Sequence, residues 1–198
     1  MNKETRLKFK LLKLPDSLGV DKNLVPVIIK QIYLVLDDDT IKERINTVTN
    51  LKIEWLKISE IIICTMVTTD NKLCCVTLRS ENKNEYESVI TESEFYELSS
   101  MKNYGMIFKF RYKIKIPDTD LVLEIDNYLG SLLGLMTADI EYDTEKYPNQ
   151  NIITEFTKKY LGDDIVDVTF DKKYINRNLA ILNNVVLLGK NKLLTINN

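Results

Sequence analysis

The stretch Phe108-Lys109-Phe110-Arg111-Tyr112-Lys113-Ile114-Lys115-Ile116 alternates strictly between apolar or aromatic side chains and cations. Successive side chains of a β-strand point to opposite faces, so the stretch predicts a strand with one cationic and one apolar face. Similar alternation predicts strands at residues 4–12, 30–36, 40–47, 59–68, 73–79, 85–91, 104–116, 121–128 and 135–142. Helices are predicted at residues 93–99, 150–160 and 171–179, and turns at 17–19 and 38–40.

The polar faces of these predicted strands are sorted by charge. The first strand places Glu4, Arg6, Lys8 and Lys10 on one face, whereas a later strand pairs Glu124 with Asp126. An ordinary antiparallel sheet with one solvated face is one interpretation. A closed barrel with its charges inside is the other, and the sorting favours it, because cations bind phosphate oxygens and carboxylates hold a divalent metal.

Composition limits the chemistry that 198 residues can perform. The chain has no His, which excludes imidazole bases and imidazole metal ligands. It balances 27 Lys and Arg against 29 Asp and Glu, so its net charge does not favour nucleic acid or membrane partners. Three Cys without a CxxC motif predict free thiols in a reducing cytosol. No signal segment or spanning apolar run is found, so we expect one cytoplasmic domain over residues 1–198.

The first half of the chain begins with the segment Glu4-Thr5-Arg6-Leu7-Lys8. This segment resembles the ExExK strand of the CYTH superfamily, the triphosphate tunnel metalloenzymes, with Arg6 in place of the second Glu. Lys42-Glu43-Arg44 is similar to its RxR strand. The pair Thr77-Leu78-Arg79 and Lys83-Asn84-Glu85-Tyr86-Glu87 is similar to its TxK and RxExE strands.

The second half resembles the same family more closely. Its matches to KxRY, WExDxF, GLxxAExE and YxNxxLA are the segments at residues 109–112, 123–128, 134–141 and 174–180. The order and spacing of the motifs make the resemblance specific, and it covers about residues 4–180. Residues 181–198 lie beyond it as a C-terminal extension.

The resemblance implies a mainly antiparallel α+β fold, an eight-stranded closed β-barrel with flanking helices and a charged tunnel. It also implies a metal-dependent hydrolase of inorganic triphosphate, or of an organic, nucleoside or RNA 5′-triphosphate, that uses Mg or Mn. A class IV-type adenylate cyclase is one alternative. A non-catalytic binder of polyphosphate or nucleotide is another. The oligomeric state stays open.

The resemblance assigns roles to residues of the matched motifs. Phosphate oxygens would be bound by the cations Lys8, Lys42, Arg44, Arg79, Lys109 and Arg111. The metal would be held by the carboxylates Glu4, Glu124, Asp126, Asp139 and Glu141. The attacking water would be positioned or deprotonated by Glu4, Glu85 and Glu87. Arg6 is the important departure, because a cation in place of a metal-binding carboxylate repels a divalent ion. This substitution motivates the non-catalytic alternative.

Overall fold

The structure is a computed structural model that describes residues 4–13, 15, 24–82 and 84–185, and for Glu4 only the backbone. Within these residues the protein has an α+β fold of nine strands and four helices. The strands are β1 (Glu4–Leu11), β2 (Val27–Leu34), β3 (Ile58–Val67), β4 (Lys72–Ser80), β5 (Glu85–Ile90), β6 (Asn103–Lys115), β7 (Val122–Tyr128), β8 (Met136–Asp143) and β9 (Ile165–Asp167). The helices are α1 (Asp39–Val48), α2 (Glu92–Ser99), α3 (Gln150–Leu161) and α4 (residues 176–185).

The nine strands form one antiparallel sheet in the order β5-β4-β3-β2-β6-β7-β8-β1-β9. Strands β5 and β9 are its two edges, and no hydrogen-bonded pairing joins them in the described part of the chain. The antiparallel α+β class is therefore confirmed, whereas a closed eight-stranded barrel is not. No described helix is long and apolar enough to cross a bilayer.

The chain divides into two compact units. The first consists of the described parts of Met1–Val27 together with Lys109–Tyr174, and the second of Ile28–Phe108 with the described part of Ile175–Asn198. In the first unit the apolar face of β1, β7 and β8 packs against α3, with Phe9, Ile140 and Ile153 fully or almost fully buried. Alternation thus leaves the charged side chains of these strands together on the opposite face.

The second unit has its own core, and helix α1 corrects the prediction of a strand at residues 40–47. Asp38 caps the helix, since its Oδ1 atom accepts hydrogen bonds from the backbone of Thr40 and Ile41. Ile41 and Ile45, four residues apart, are buried against Ile32 and other side chains of the sheet. The sequence of this segment fits both the two-residue period of a strand and the 3.6-residue period of a helix. The cap at Asp38 and the buried stripe of Ile41 and Ile45 show that it is a helix.

The other predicted strands and helices agree with the structure to within a few residues, apart from one helix, whereas the turn predicted at 38–40 is the cap and first turn of α1. The predicted helix at 171–179 is a short 3-10 turn at Lys172–Tyr174 followed by α4. Strand β9 was not predicted, because three residues are too few to show a period. The predicted turn at 17–19 lies outside the described residues.

Helix α4 lies against the beginning of β6 within the second unit. Asn183 and Asn184 donate side-chain hydrogen bonds to the carbonyls of Met106 and Tyr104 at 2.9 and 3.3 Å. Gly105 permits this approach, because a Cβ atom there would lie 2.2 Å from the Ala180 carbonyl oxygen. Its φ of 150° also favours glycine.

Candidate functional site

The charged face of the first unit is organised as two rows that cross strands β6, β7, β8 and β1. The residues of one row lie directly opposite one another in the order Lys113, Glu124, Asp139 and Lys8. The second row contains Arg111, Asp126, Thr137 and Lys10 in the same strand order. Because opposite residues of an antiparallel pair share a face, the register alone brings acids and bases into contact.

Asp126 is the buried centre of this face. Its carboxylate accepts a hydrogen bond of 2.6 Å from Lys109 Nζ and bonds of 2.7 and 2.8 Å from Nε and Nη2 of Arg111. The side chains of Lys109 and Asp126 have no solvent exposure. Burial alone would raise the pKa of Asp126, but Lys109 and Arg111 outweigh it and lower that pKa to about 2. Burial is also the main cause that lowers the pKa of Lys109 to about 8.

We expect Asp126 to make the protein acid-labile. Its pKa is lower in the folded chain than in the unfolded chain, so its stabilising contribution is complete above about pH 4 and is lost as the pH falls towards 2. The expected loss of unfolding free energy is about 2 kcal/mol. Urea unfolding between about pH 5 and 2 measures it, and an Asp126→Asn variant should lack this part of the pH dependence. An equally steep slope in the variant would contradict the assignment.

Other residues of the same face remain partly exposed. Arg111, whose side chain is 19% exposed, also contacts Glu124 through Nη1 at 2.5 Å. Lys8 is 12% exposed, and its Nζ lies 3.4 Å from Asp139 Oδ2 and donates to the Tyr174 carbonyl at 3.1 Å. These two cations can reach a bound anion with smaller rearrangement than Lys109 would need.

The acids of the face line a cleft of about 220 Å³ formed by Asp120, Val122, Glu124, Asp139 and Glu141. Glu141 forms an ion pair with Arg6, and both side chains are about half exposed. Asp120 is an acid that the sequence motifs do not include. Tyr147 and Lys146 hold its Oδ1 atom at 2.7 and 2.8 Å. In the sequence, the only indication that Asp120 could belong to the site was its position directly before the predicted strand at residues 121–128.

Comparison with solved structures gives the fold. The structure described as the inorganic triphosphatase NE1496 matches with a TM-score of 0.54 and 25% identity, covering 91% of this chain and 96% of that chain. A second structure of NE1496, described as a hypothetical protein, matches with a TM-score of 0.55 and 24% identity, covering 90% and 98%. These neighbours and their TM-scores fit a divergent CYTH-type protein.

PH1819 from Pyrococcus horikoshii OT3 shares the fold at 14% identity and a TM-score of 0.51, with 82% of this chain and 93% of that chain covered. No family model and no curated protein matches the sequence. The CYTH architecture is thus evident from the arrangement of the backbone, whereas the sequence has diverged widely.

The predicted site residues of this CYTH protein fall into both units. The first unit brings together the seven residues Lys8, Lys109, Arg111, Glu124, Asp126, Asp139 and Glu141. In the second unit Arg79 contacts Glu60 at 3.1 Å and Glu85 at 2.6 Å. Glu87 is exposed on β5. The side chain of Glu4 lies outside the described residues.

Lys42 and Arg44 do not share a strand face, because they lie on helix α1. Lys42 Nζ is 3.3 Å from Asp39 Oδ1, and Arg44 Nη2 is 2.6 Å from Glu97 Oε2 of helix α2. The resemblance to the RxR strand implied that both cations bind phosphate from a strand. If they bind phosphate, they must do so from helix α1.

The carboxylates suit Mg²⁺ or Mn²⁺ in their chemistry. Among the described residues, no group of three acid or Cys side chains is close enough to form a ready metal centre. However, Asp139 Oδ1 is buried and accepts no hydrogen bond from the described part of the chain, and it belongs to a residue of the acidic cleft. Hard divalent ions prefer oxygen donors of this kind. Asp139, Glu124 and Glu141 therefore have suitable donor atoms for such an ion, although in the described structure they are not gathered into one centre.

Proposed function

We propose that this CYTH protein is a metal-dependent hydrolase of a triphosphate compound, with inorganic triphosphate as the simplest substrate. The observation that carries this function is the buried face on which Asp126 orients Arg111 beside Lys8 and the acidic cleft. The similarity in structure to an inorganic triphosphatase supports it. An RNA 5′ end or another triphosphate is the broader substrate class.

In this function Arg111 and Lys8 contact the phosphate oxygens. Arg111 presents a planar fork that suits phosphate, and Lys8 adds a compact charge. Lys109 is fully buried against Asp126, so we assign it a positioning role: it keeps Asp126 ionised while that carboxylate fixes two nitrogens of Arg111. The resemblance implies phosphate binding by both Lys109 and Arg111, whereas this assignment gives phosphate binding to Arg111 and a positioning role to Lys109.

Asp139, Glu124 and Glu141 would hold Mg²⁺ or Mn²⁺, and Asp126 would act on the site through Arg111. When bound, the ion would neutralise phosphate charge that the cations leave uncompensated. A carboxylate accepts a proton from the attacking water, for which Glu4, Glu85 and Glu87 are the candidates. The water oxygen forms a bond to the terminal phosphorus, and the P–O bond to the diphosphate leaving group breaks.

The cations Arg79, Lys42 and Arg44 remain candidates for phosphate binding by resemblance to family motifs. Arg79 is the strongest of them, because Glu60 and Glu85 hold its guanidinium on two sides. Phosphate would have to replace one of these carboxylates as its partner.

Phosphate release by the purified chain tests the function. Inorganic triphosphate, ATP, thiamine triphosphate and an RNA 5′-triphosphate are each incubated with Mg²⁺ or Mn²⁺ from about pH 6 to 10. We expect phosphate release that a Lys8→Ala preparation, purified in the same way, lacks. Cyclic AMP from ATP would instead indicate the cyclase. No release from any compound would refute hydrolysis.

A non-catalytic binder is the second candidate, and the ion pair of Arg6 with Glu141 favours it. Each described acid of the cleft already has a cation partner, and Arg6 supplies the partner of Glu141. A divalent ion must therefore displace Arg6 before it can use Glu141 fully. Triphosphate binding without metal and without turnover would support the binder.

We expect the Arg6→Glu variant to bind Mn²⁺ about tenfold more tightly than the natural chain, because it removes a repelling cation and adds an oxygen ligand. Titration of free Mn²⁺ by electron paramagnetic resonance measures the affinity. Lys10→Glu is the matched control, since Lys10 lies on the same strand face opposite Thr137 and not opposite an acid. Equal affinities of the natural chain and Arg6→Glu would show that Arg6 does not limit metal binding.

A further inference from the structure

Two cysteines face each other in the second unit, on strands that carry no part of the acidic cleft. Cys64 of β3 lies directly opposite Cys75 of β4, and neither residue is in a disulfide. The residues are 5% and 1% exposed. Cys74, the next residue in the chain, belongs to the apolar core on the other face of the sheet. The sheet register therefore pairs two thiols and separates the third.

The row across the sheet continues from this pair to an unsatisfied oxygen. Gln31 of β2 lies opposite Cys64, and its Oε1 atom is buried without a hydrogen-bond partner in the described structure. Beyond Cys75 lies Val89 of the edge strand β5, which is exposed. A buried acceptor without a donor next to two thiols leaves an oxygen that a bound cation would satisfy.

The Cys75 thiol is a poor nucleophile in this environment. Hydrogen bonding with Cys64, burial, and hydrogen bonding with Glu87 all raise the pKa of the Cys75 thiol. A protonated thiol reacts slowly with oxidants or electrophiles, so a catalytic or sensing thiolate is not favoured. A soft metal ion can nevertheless bind there, because it displaces the thiol protons as it binds.

The number of ligands selects the kind of ion. A structural Zn²⁺ site needs four ligands, and no group of three His, Cys, Asp or Glu side chains in the described residues could hold a metal. Two thiolates suit a soft monovalent ion, which prefers sulfur to carboxylate oxygen. We propose that Cys64 and Cys75 form a two-thiolate site for a Cu⁺-class ion, with Gln31 Oε1 as a neighbouring oxygen. Binding breaks two S–H bonds, forms two metal–sulfur bonds and releases two protons, without any redox change.

Silver is the probe, because Ag⁺ has the same preference as Cu⁺ and is stable in air. Calorimetric titration of the whole chain with Ag⁺, in buffers of different ionisation enthalpy, gives affinity and proton release. We expect one tightly bound Ag⁺ and about two released protons per chain. Native mass spectrometry should show a mass increase of one silver less one hydrogen, because Ag⁺ replaces one proton among the charges of the ion. A loss of two hydrogens without added silver would identify a disulfide and overturn the metal site.

Cys74→Ala is the matched control for Cys64→Ala and Cys75→Ala. Each of the latter two should weaken Ag⁺ binding by about 100-fold or more, since loss of even an outer-shell partner of a metal costs 10–100-fold. The control should keep its affinity. In the natural sequence background, Gln31→Met adds a soft thioether and should tighten binding. Equal losses in all three Ala variants, or unchanged affinity in Cys75→Ala, would refute the site.

Discussion

The Asp126→Ala variant is expected to lose about 3–5 kcal/mol of unfolding free energy. The substitution leaves Lys109 fully buried without a carboxylate, and it removes the partner that fixes two nitrogens of Arg111. An unpaired buried charge is among the most destabilising changes in a protein interior. Urea denaturation at neutral pH, followed by circular dichroism, measures the loss.

Two further variants isolate the cause. Glu124→Ala removes a carboxylate that is 23% exposed, so its loss should stay near 1 kcal/mol. In the Asp126→Ala background, Lys109→Met removes one of the two cations that have lost their carboxylate partner. The double variant should therefore recover part of the lost unfolding free energy. If Glu124→Ala destabilised the chain as much as Asp126→Ala, burial of the ion pair would not be the reason.

The Arg111→Lys variant is expected to lower the rate of phosphate release from inorganic triphosphate by about 100-fold. Lysine keeps the positive charge, but one ammonium group cannot contact Asp126 and Glu124 and also present two parallel donors to a phosphate. The loss should appear in kcat under saturating substrate and metal, with the fold preserved in circular dichroism.

Lys115→Ala serves as the control for the catalytic measurement. Lys115 lies on the same strand face as Arg111 but is exposed near the end of β6. Its removal should change kcat less than twofold. A rate for Arg111→Lys within a few-fold of the natural chain would mean that the guanidinium fork does not contact the reacting phosphate.

Alternation made the charged strands predictable. In β6, Lys109, Arg111 and Lys113 follow one another at every second position, and the acids of β7 and β8 do the same. Period two requires such residues to share a face whatever the rest of the fold does. The family motifs lie on these same strands, which is why the fold class and the composition of the candidate site could be expected together.

Helix α1 shows where periodicity is ambiguous. Lys42 and Arg44 alternate with other residues as they would on a strand, while Ile41 and Ile45 repeat at helical spacing. Only the cap at Asp38 and the contact of the apolar stripe with the sheet decide between the two periods, and that contact depends on tertiary structure.

Burial and pairing at the site could not be read from the sequence. The register that places Lys8 opposite Asp139 joins residues 131 positions apart in the chain, and local patterns do not determine it. For the same reason Lys109 and Arg111, two residues apart on one face, could not be separated into a buried positioning cation and an accessible one.

The contrast between Asp126 and Arg6 has a consequence for how this site changes during evolution. Lys109 and Arg111 both depend on Asp126, so a replacement that removes this carboxylate leaves buried charge unpaired and gives a destabilised chain that selection removes. The half-exposed pair of Arg6 and Glu141 carries little such penalty. Substitutions should therefore accumulate first at exposed positions such as Arg6 and Glu141. Descendants that no longer hydrolyse a substrate should still carry Lys109, Asp126 and Arg111.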